Sequence, residues 1–85
     1  MIKDKFETAV AESKQLSMRP SNDTLLNLYG LYKQATEGDA PSAGPLDAFD
    51  FVAKAKYNAW AKLKGTATDS AMQLYVDLVE KLKVN

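Results

Sequence analysis

Ile2, Phe6, Ala9, Val10, Ser13 and Leu16 recur at steps of three and four, with Lys, Asp and Glu between them. Residues 2 to 16 therefore read as an amphipathic helix. Met18-Arg19-Pro20 interrupts it, and Ser21 stands where a hydroxyl can accept a free backbone N–H of the next helix. That second helix runs through Leu25, Leu28, Tyr29, Tyr32 and Lys33 to about Thr36, with Gly38 as its C-terminal stop. The stretch GDAPSAGPLDAF, from Gly38 to Phe49, holds two Gly and two Pro and is expected to be irregular. A connection of this length inside a small domain is expected to cross the fold or border a site.

Asp50 is placed to cap a third helix, with Phe51, Ala53, Tyr57, Trp60 and Leu63 on its inward side and an end at Lys64-Gly65. Trp60 is expected to be chiefly core. Thr66, with Asp69 three positions on, resembles a capping box that opens a fourth helix. Met72, Tyr75, Val76, Leu78, Val79 and Leu82 carry that helix to the end. No period-2 alternation of a half-buried strand is present, nor any internal repeat. The pattern predicts an all-α chain of four helices joined by two short turns and one long loop.

At 85 residues the chain has room for one domain. A domain this small buries only about 60% of its unfolded surface, so a bound ligand would add useful stability. Eleven basic residues balance eleven acidic ones, which argues against a broad polybasic surface that binds nucleic acid or anionic lipid through bulk charge, so that any anion must be met locally. The start, Met1-Ile2-Lys3-Asp4-Lys5, lacks the apolar core of a signal peptide, and no apolar run approaches the ~18 residues of a membrane span. A soluble, cytoplasmic protein is the expectation.

Histidine and cysteine are both missing. The commonest general base, the Ser-His pair, the cysteine nucleophile and the usual zinc ligands go with them. Asp4, Glu7, Glu12, Asp77 and Glu80 fall on faces assigned to water, and no Gly-rich phosphate loop occurs. A thioesterase built on Ser13 or Ser70 would have no evident base. What remains is aromatic and cationic residues interleaved on helices, in Tyr29-Gly30-Leu31-Tyr32-Lys33 and in Lys54-Ala55-Lys56-Tyr57. Tyr29 and Lys33 are i,i+4 neighbours and Tyr29 and Tyr32 are i,i+3 neighbours, so two phenols and an ammonium share one side of the second helix. Lys56 precedes Trp60 in the same way. Tyr75 lies among apolar residues, and its hydroxyl needs a partner if buried, a role a ligand phosphate would fill. Core tyrosines with wet hydroxyls and snorkelling lysines would give the same spacing, which leaves both readings open. Gly30 weighs toward a packing or ligand role, because a mid-helix glycine costs about 1 kcal/mol against alanine.

The run Tyr29 to Asp39, YGLYKQATEGD, resembles the second-helix signature of the acyl-CoA-binding protein family. Lys54-Ala55-Lys56-Tyr57-Asn58-Ala59-Trp60 followed by Leu63-Lys64-Gly65 is similar to that family's KAKWxAWxxLKG stretch, and Ala71-Met72 with Tyr75 to the start of its last helix. With Phe6 and Pro20-Ser21 the likeness covers nearly the whole chain, implying a single acyl-CoA-binding domain over 1–85. The resemblance implies an up-down four-helix bundle with the ligand in a bowl. Tyr29, Lys33 and Lys56 would surround the 3′-phosphate of CoA, Tyr32 and Lys14 would stand beside the nucleotide, and Tyr75 would lie near the acyl-CoA. Leu25 and Leu28 would line the apolar floor. Three departures stand out: Tyr57 replaces the family's usual Trp, the loop over 39–49 is one residue longer, and Val52 lies where some members have Lys.

The resemblance further implies an intracellular carrier and pool former for medium- to long-chain acyl-CoA, with no catalysis, no cofactor and no metal. It would act as a monomer, with no nucleic-acid partner and at most transient contact with membranes or acyl-CoA-using enzymes. The ligand is an amphiphile. Each buried CH₂ is worth about 0.8 kcal/mol, so a long tail offers on the order of 10 kcal/mol before ordering costs. Charge-assisted hydrogen bonds to phosphate, roughly 1.5 to 3 kcal/mol each, would then separate CoA esters from free fatty acids. The alternative is a helical protein-interaction module with Tyr29, Tyr32 and Trp60 as an aromatic patch and Lys33 and Lys56 on its rim.

Overall fold

The computed structural model describes residues 1–45 and 49–83. Four helices follow in order, α1 (Ile2–Ser13), α2 (Asn22–Glu37), α3 (Phe51–Ala61) and α4 (Thr68–Lys83), with no strand among the described residues. Two of the expected caps are in place. The Ser21 hydroxyl accepts the Thr24 N–H at 3.2 Å, and an Asp50 carboxylate oxygen accepts that of Ala53 at 2.9 Å. Each satisfies one of the orphan donors of a helix start. Gly38 ends α2 at φ 77°, a backbone region where a side chain would be strained.

Three boundaries differ from the sequence reading, and each difference has a local cause. Beyond Ser13 the chain keeps winding, but through tighter bonds from the Lys14 and Gln15 N–H groups to the Ala11 and Glu12 carbonyls. α3 likewise stops at Ala61 and reaches Gly65 through turns closed by Leu63, Lys64 and Thr66 N–H groups. The expected capping box is not where α4 begins. That helix starts at Thr68, two residues past Thr66, whose carbonyl instead accepts the side-chain amide of Gln34.

α2 packs on both α3 and α4, and α1 packs on α4. The Cα trace spans 37 × 27 × 15 Å, so the molecule is thin in one direction. Its buried cluster is correspondingly modest: Phe6 and Ala9 of α1, Leu28, Leu31 and Ala35 of α2, and Ala71, Tyr75 and Val79 of α4. α3 stands outside this cluster and meets α2 through a close backbone crossing. A Cβ on Gly30 would lie 2.5 Å from the Ala59 carbonyl oxygen, so only glycine permits the approach. The mid-helix glycine thus has a packing reason. Because α3 touches the rest along a narrow stripe around buried Ala59, its inward set is smaller than the sequence suggested. Phe51 is 74% exposed, and Trp60 is half-buried rather than core. Leu63 does pack against the central cluster.

The long loop is tied down at its start. The Tyr57 hydroxyl donates to the Pro41 carbonyl, and Gly44 rests 3.4 Å from the Tyr57 ring, measured from where its Cβ would be. The residue that replaces the family's usual Trp therefore holds the loop in place. Leu46, Asp47 and Ala48 lie outside the described residues.

Candidate ligand-binding groove

Between α1, α2 and α4 lies an open groove of about 380 Å³ lined by Val10, Ser13, Lys14, Leu25, Leu28, Tyr29, Tyr32 and Tyr75. Six of the eight residues singled out from sequence meet here: Lys14, Leu25, Leu28, Tyr29, Tyr32 and Tyr75. Helical spacing accounts for the assembly. Leu25, Leu28, Tyr29 and Tyr32 form one i, i+3, i+4, i+7 stripe of α2, while α1 contributes Val10, Ser13 and Lys14.

Phe6 supports the aromatic wall from beneath. Its ring stacks on Tyr32 at 5.9 Å between centroids and meets Tyr75 edge-on at 5.2 Å. Such pairs hold their rings in fixed orientations. Tyr75 is a core ring with a polar tip, only 4% exposed. Its hydroxyl donates to Ser13 Oγ at 3.1 Å, and Ser13 Oγ donates to the Val10 carbonyl at 2.7 Å. Since a carbonyl can only accept, the Ser13 proton is committed to Val10, and the Tyr75 proton must point to Ser13. Tyr75 therefore has a partner within the protein and does not need a ligand phosphate to satisfy its hydroxyl. Ser13 and Val10, which the sequence reading placed on the inward stripe of the first helix but not in the site, both line the groove.

Lys33 and Lys56 do not line it. They stand on the flank of Tyr29, where α2 meets α3. The Lys56 ammonium lies 5.4 Å from the centre of the Tyr29 ring and that of Lys33 lies 4.9 Å from the Trp60 ring, both cation–π distances. Lys33 also donates to the Glu37 carboxylate one turn along, and that bond, outweighing the opposing effect of partial burial, raises its pKa above the ordinary lysine value. Lys33 therefore stays cationic at neutral pH. The groove thus combines an apolar floor at Leu25 and Leu28 with polar groups at Lys14, Tyr29 and Tyr32, and the ammonium groups of Lys33 and Lys56 stand beside it.

A second polar cluster, which the sequence reading had not picked out, lies at the far end of α2. Gln34 is fully buried, and its Nε2 donates to Asp39 Oδ1 and to the Thr66 carbonyl, each at 2.8 Å. The same Asp39 oxygen accepts the Gly65 N–H at 2.9 Å. The Trp60 indole donates to the Gly38 carbonyl at 2.7 Å. The Gly65 and Gln34 hydrogen bonds, in that order, hold the Asp39 carboxyl below its ordinary pKa. This cluster ties the end of α2, the start of the long loop and the α3–α4 turn together.

The model of the acyl-CoA-binding protein family matches residues 3–79. This chain belongs to the acyl-CoA-binding protein family. Acyl-CoA binding without catalysis is the activity that membership carries. Among its relatives, the acyl-CoA-binding protein of Dictyostelium discoideum is 52% identical over 91% of this chain and 90% of its own length. Acyl-CoA-binding protein homolog 1 of Caenorhabditis elegans is 49% identical over 91% and 88%. The crystal structure of Oryza sativa acyl-CoA-binding protein 2 superposes with a TM-score of 0.87 at 34% identity, covering 96% of this chain and 90% of that one. The four-helix arrangement expected from the sequence is therefore that of the family.

Proposed function

We propose that this family member is an intracellular carrier and pool former for medium- to long-chain acyl-CoA, holding the tail over Leu25 and Leu28 and the nucleotide at the Tyr29 rim. The observation that supports this most is the polarity of the groove. One continuous depression runs from aliphatic α2 side chains to Tyr29, beyond which Lys56 and Lys33 project from two helices. An amphiphile with an anionic head and an apolar tail matches both ends. Tyr29, Lys33 and Lys56 receive the 3′-phosphate, Lys14 and Tyr32 flank the nucleotide, and Tyr75 meets the pantetheine or thioester region. A 3′-phosphate would compete with Glu37 for Lys33, whereas among the described residues Lys56 has only the Tyr29 face to leave. Lys56 therefore carries more of the contact. No nucleophile, base, metal or cofactor is required of a carrier. It works as a cytoplasmic monomer.

Calorimetric titration tests both halves of the site. Palmitoyl-CoA should bind one to one and far more tightly than CoA alone, with a negative heat-capacity change from apolar burial. Palmitoyl-CoA should also bind more tightly than palmitoyl-dephospho-CoA, and Lys56→Ala should remove more of that margin than Lys33→Ala. Equal affinity for CoA and palmitoyl-CoA would end the groove assignment. Equal losses toward both palmitoyl ligands would end the phosphate assignment.

A further inference from the structure

Apart from Met1 and Met18, the most exposed large apolar side chains among the described residues lie within four positions of one another. Phe49, Phe51 and Val52 are 84%, 74% and 66% exposed, at and just before the first turn of α3. They protrude from a helix start rather than lining a cleft. Phe51, Lys54, Asn58 and Lys62 follow one another at steps of three and four and are all exposed, so they form one outer stripe of α3. The charge of this element is lopsided in a chain that is neutral as a whole. Residues 50–65 carry Lys54, Lys56, Lys62 and Lys64 against a single acid, Asp50, whose carboxylate is engaged in capping α3. Asp23 of α2 borders the stripe near Lys62 and Asn58, and no other acid lines that depression.

We infer that the outer face of α3 docks on an anionic lipid surface, with Phe51 and its neighbours Phe49 and Val52 seated among the headgroups and acyl-chain boundary and Lys54 and Lys62 against the phosphates. Protruding aromatic and aliphatic residues beside a lysine row suit a fluid interface, into which they can sink. A folded protein partner would instead have to offer a matching cavity to each of them. The lysines supply the complementary charge, since anionic leaflets attract basic segments within about a Debye length. The position gives docking a purpose. Val52 lies one turn before Lys56, whose ammonium covers Tyr29 at the edge of the groove, so a docked α3 would set that edge next to the membrane. An amphiphilic cargo could then pass between bilayer and groove without crossing water. That purpose rests on the acyl-CoA reading; the docking itself does not.

Co-sedimentation of the ligand-free full chain with phosphatidylcholine vesicles, and with mixed phosphatidylcholine–phosphatidylserine vesicles, tests the inference. The wild-type chain should partition onto the mixed vesicles, and added salt should release it. Phe51→Ser should lower that partition about tenfold and Lys54→Gln about fivefold. Both variants should keep the wild-type melting temperature and the wild-type affinity for palmitoyl-CoA in vesicle-free solution. Absence of binding to the mixed vesicles, or partition of both variants equal to wild type, overturns the proposal. So does loss of palmitoyl-CoA affinity in solution by both variants, which would assign this face to the ligand site. Intact docking in a protein that binds no palmitoyl-CoA would support the surface and sink the carrier reading.

Discussion

The two polar clusters on α2 are built on opposite principles. Around Gln34, near the C-terminal end of the helix, buried groups find one another: the Gln34 Nε2, the Asp39 carboxylate, the Gly65 N–H and the Thr66 carbonyl are joined, with the Trp60–Gly38 bond beside them, while the Gln34 Oε1 is buried without a partner among the described residues. Around Tyr29 and Tyr32, about half a turn to one and a half turns earlier, the phenols and Lys14 border an open groove, and among the described residues Lys56 rests only on an aromatic face. The first cluster spends most of its hydrogen-bonding capacity inside the protein, the Gln34 Oε1 excepted, and so contributes stability. The second keeps capacity in reserve for something that arrives from outside. One helix carries both, because residues 29 and 32 lie toward the groove while residue 34 turns into the interior.

Variants can break this contrast or sharpen it. The widest effect, on stability and on ligand affinity together, is expected from Gly30→Ala, which places a methyl group 2.5 Å from a backbone oxygen at the α2–α3 crossing. The gain in helix propensity, about 1 kcal/mol, is smaller than the cost of forcing two backbones apart, about 2 to 3 kcal/mol. Because α3 also carries Lys56, both stability and palmitoyl-CoA affinity should fall, as seen in urea unfolding and titration. Next comes Gln34→Ala. It removes two hydrogen bonds and leaves a cavity, and should cost about 2 to 4 kcal/mol of stability. The affinity of the folded protein for palmitoyl-CoA should not change. A parallel loss of affinity would show that the two clusters are not separable.

Tyr32→Ala should do the opposite. The ring is 40% exposed and stacks on Phe6 from one side, so its removal should cost the apo fold about 1 kcal/mol while affinity drops about tenfold or more. For Tyr75, whose ring is core, alanine would confound the two effects. Tyr75→Phe is the cleaner change, since it keeps the ring against Phe6 and deletes only the bond to Ser13.

The smallest effect concerns acid. The Asp39 pKa is lowered on folding, so its contribution to stability is fully present above the ordinary value of 3.8. It is lost as pH falls from there through the lower folded value. Melting temperatures of wild type and Asp39→Asn, measured across that window, should converge as the acid takes hold. A constant gap would mean that the carboxylate charge plays no part in the network.

Much of this was legible in the chain itself. Helical periodicity set four helices and their order, because burying one stripe of each is the only way such a pattern leaves water. Ser21, Asp50 and Gly38 marked ends correctly, since capping is chemistry within a few residues of one another. The groove was legible for the same reason: Leu25, Leu28, Tyr29 and Tyr32 share a helix face whatever surrounds them. What depends on contacts between distant residues was not. The start of α4 shifted to Thr68 because the Thr66 carbonyl is taken by Gln34, 32 positions away. Phe51 is exposed because, among the four helices, α3 packs on α2 alone, which periodicity within α3 cannot reveal. The partner of the Tyr75 hydroxyl is Ser13, 62 positions away, and the reason for Gly30 is the carbonyl of Ala59. Local spacing determines which residues share a face, but only the packing of helices decides what that face meets.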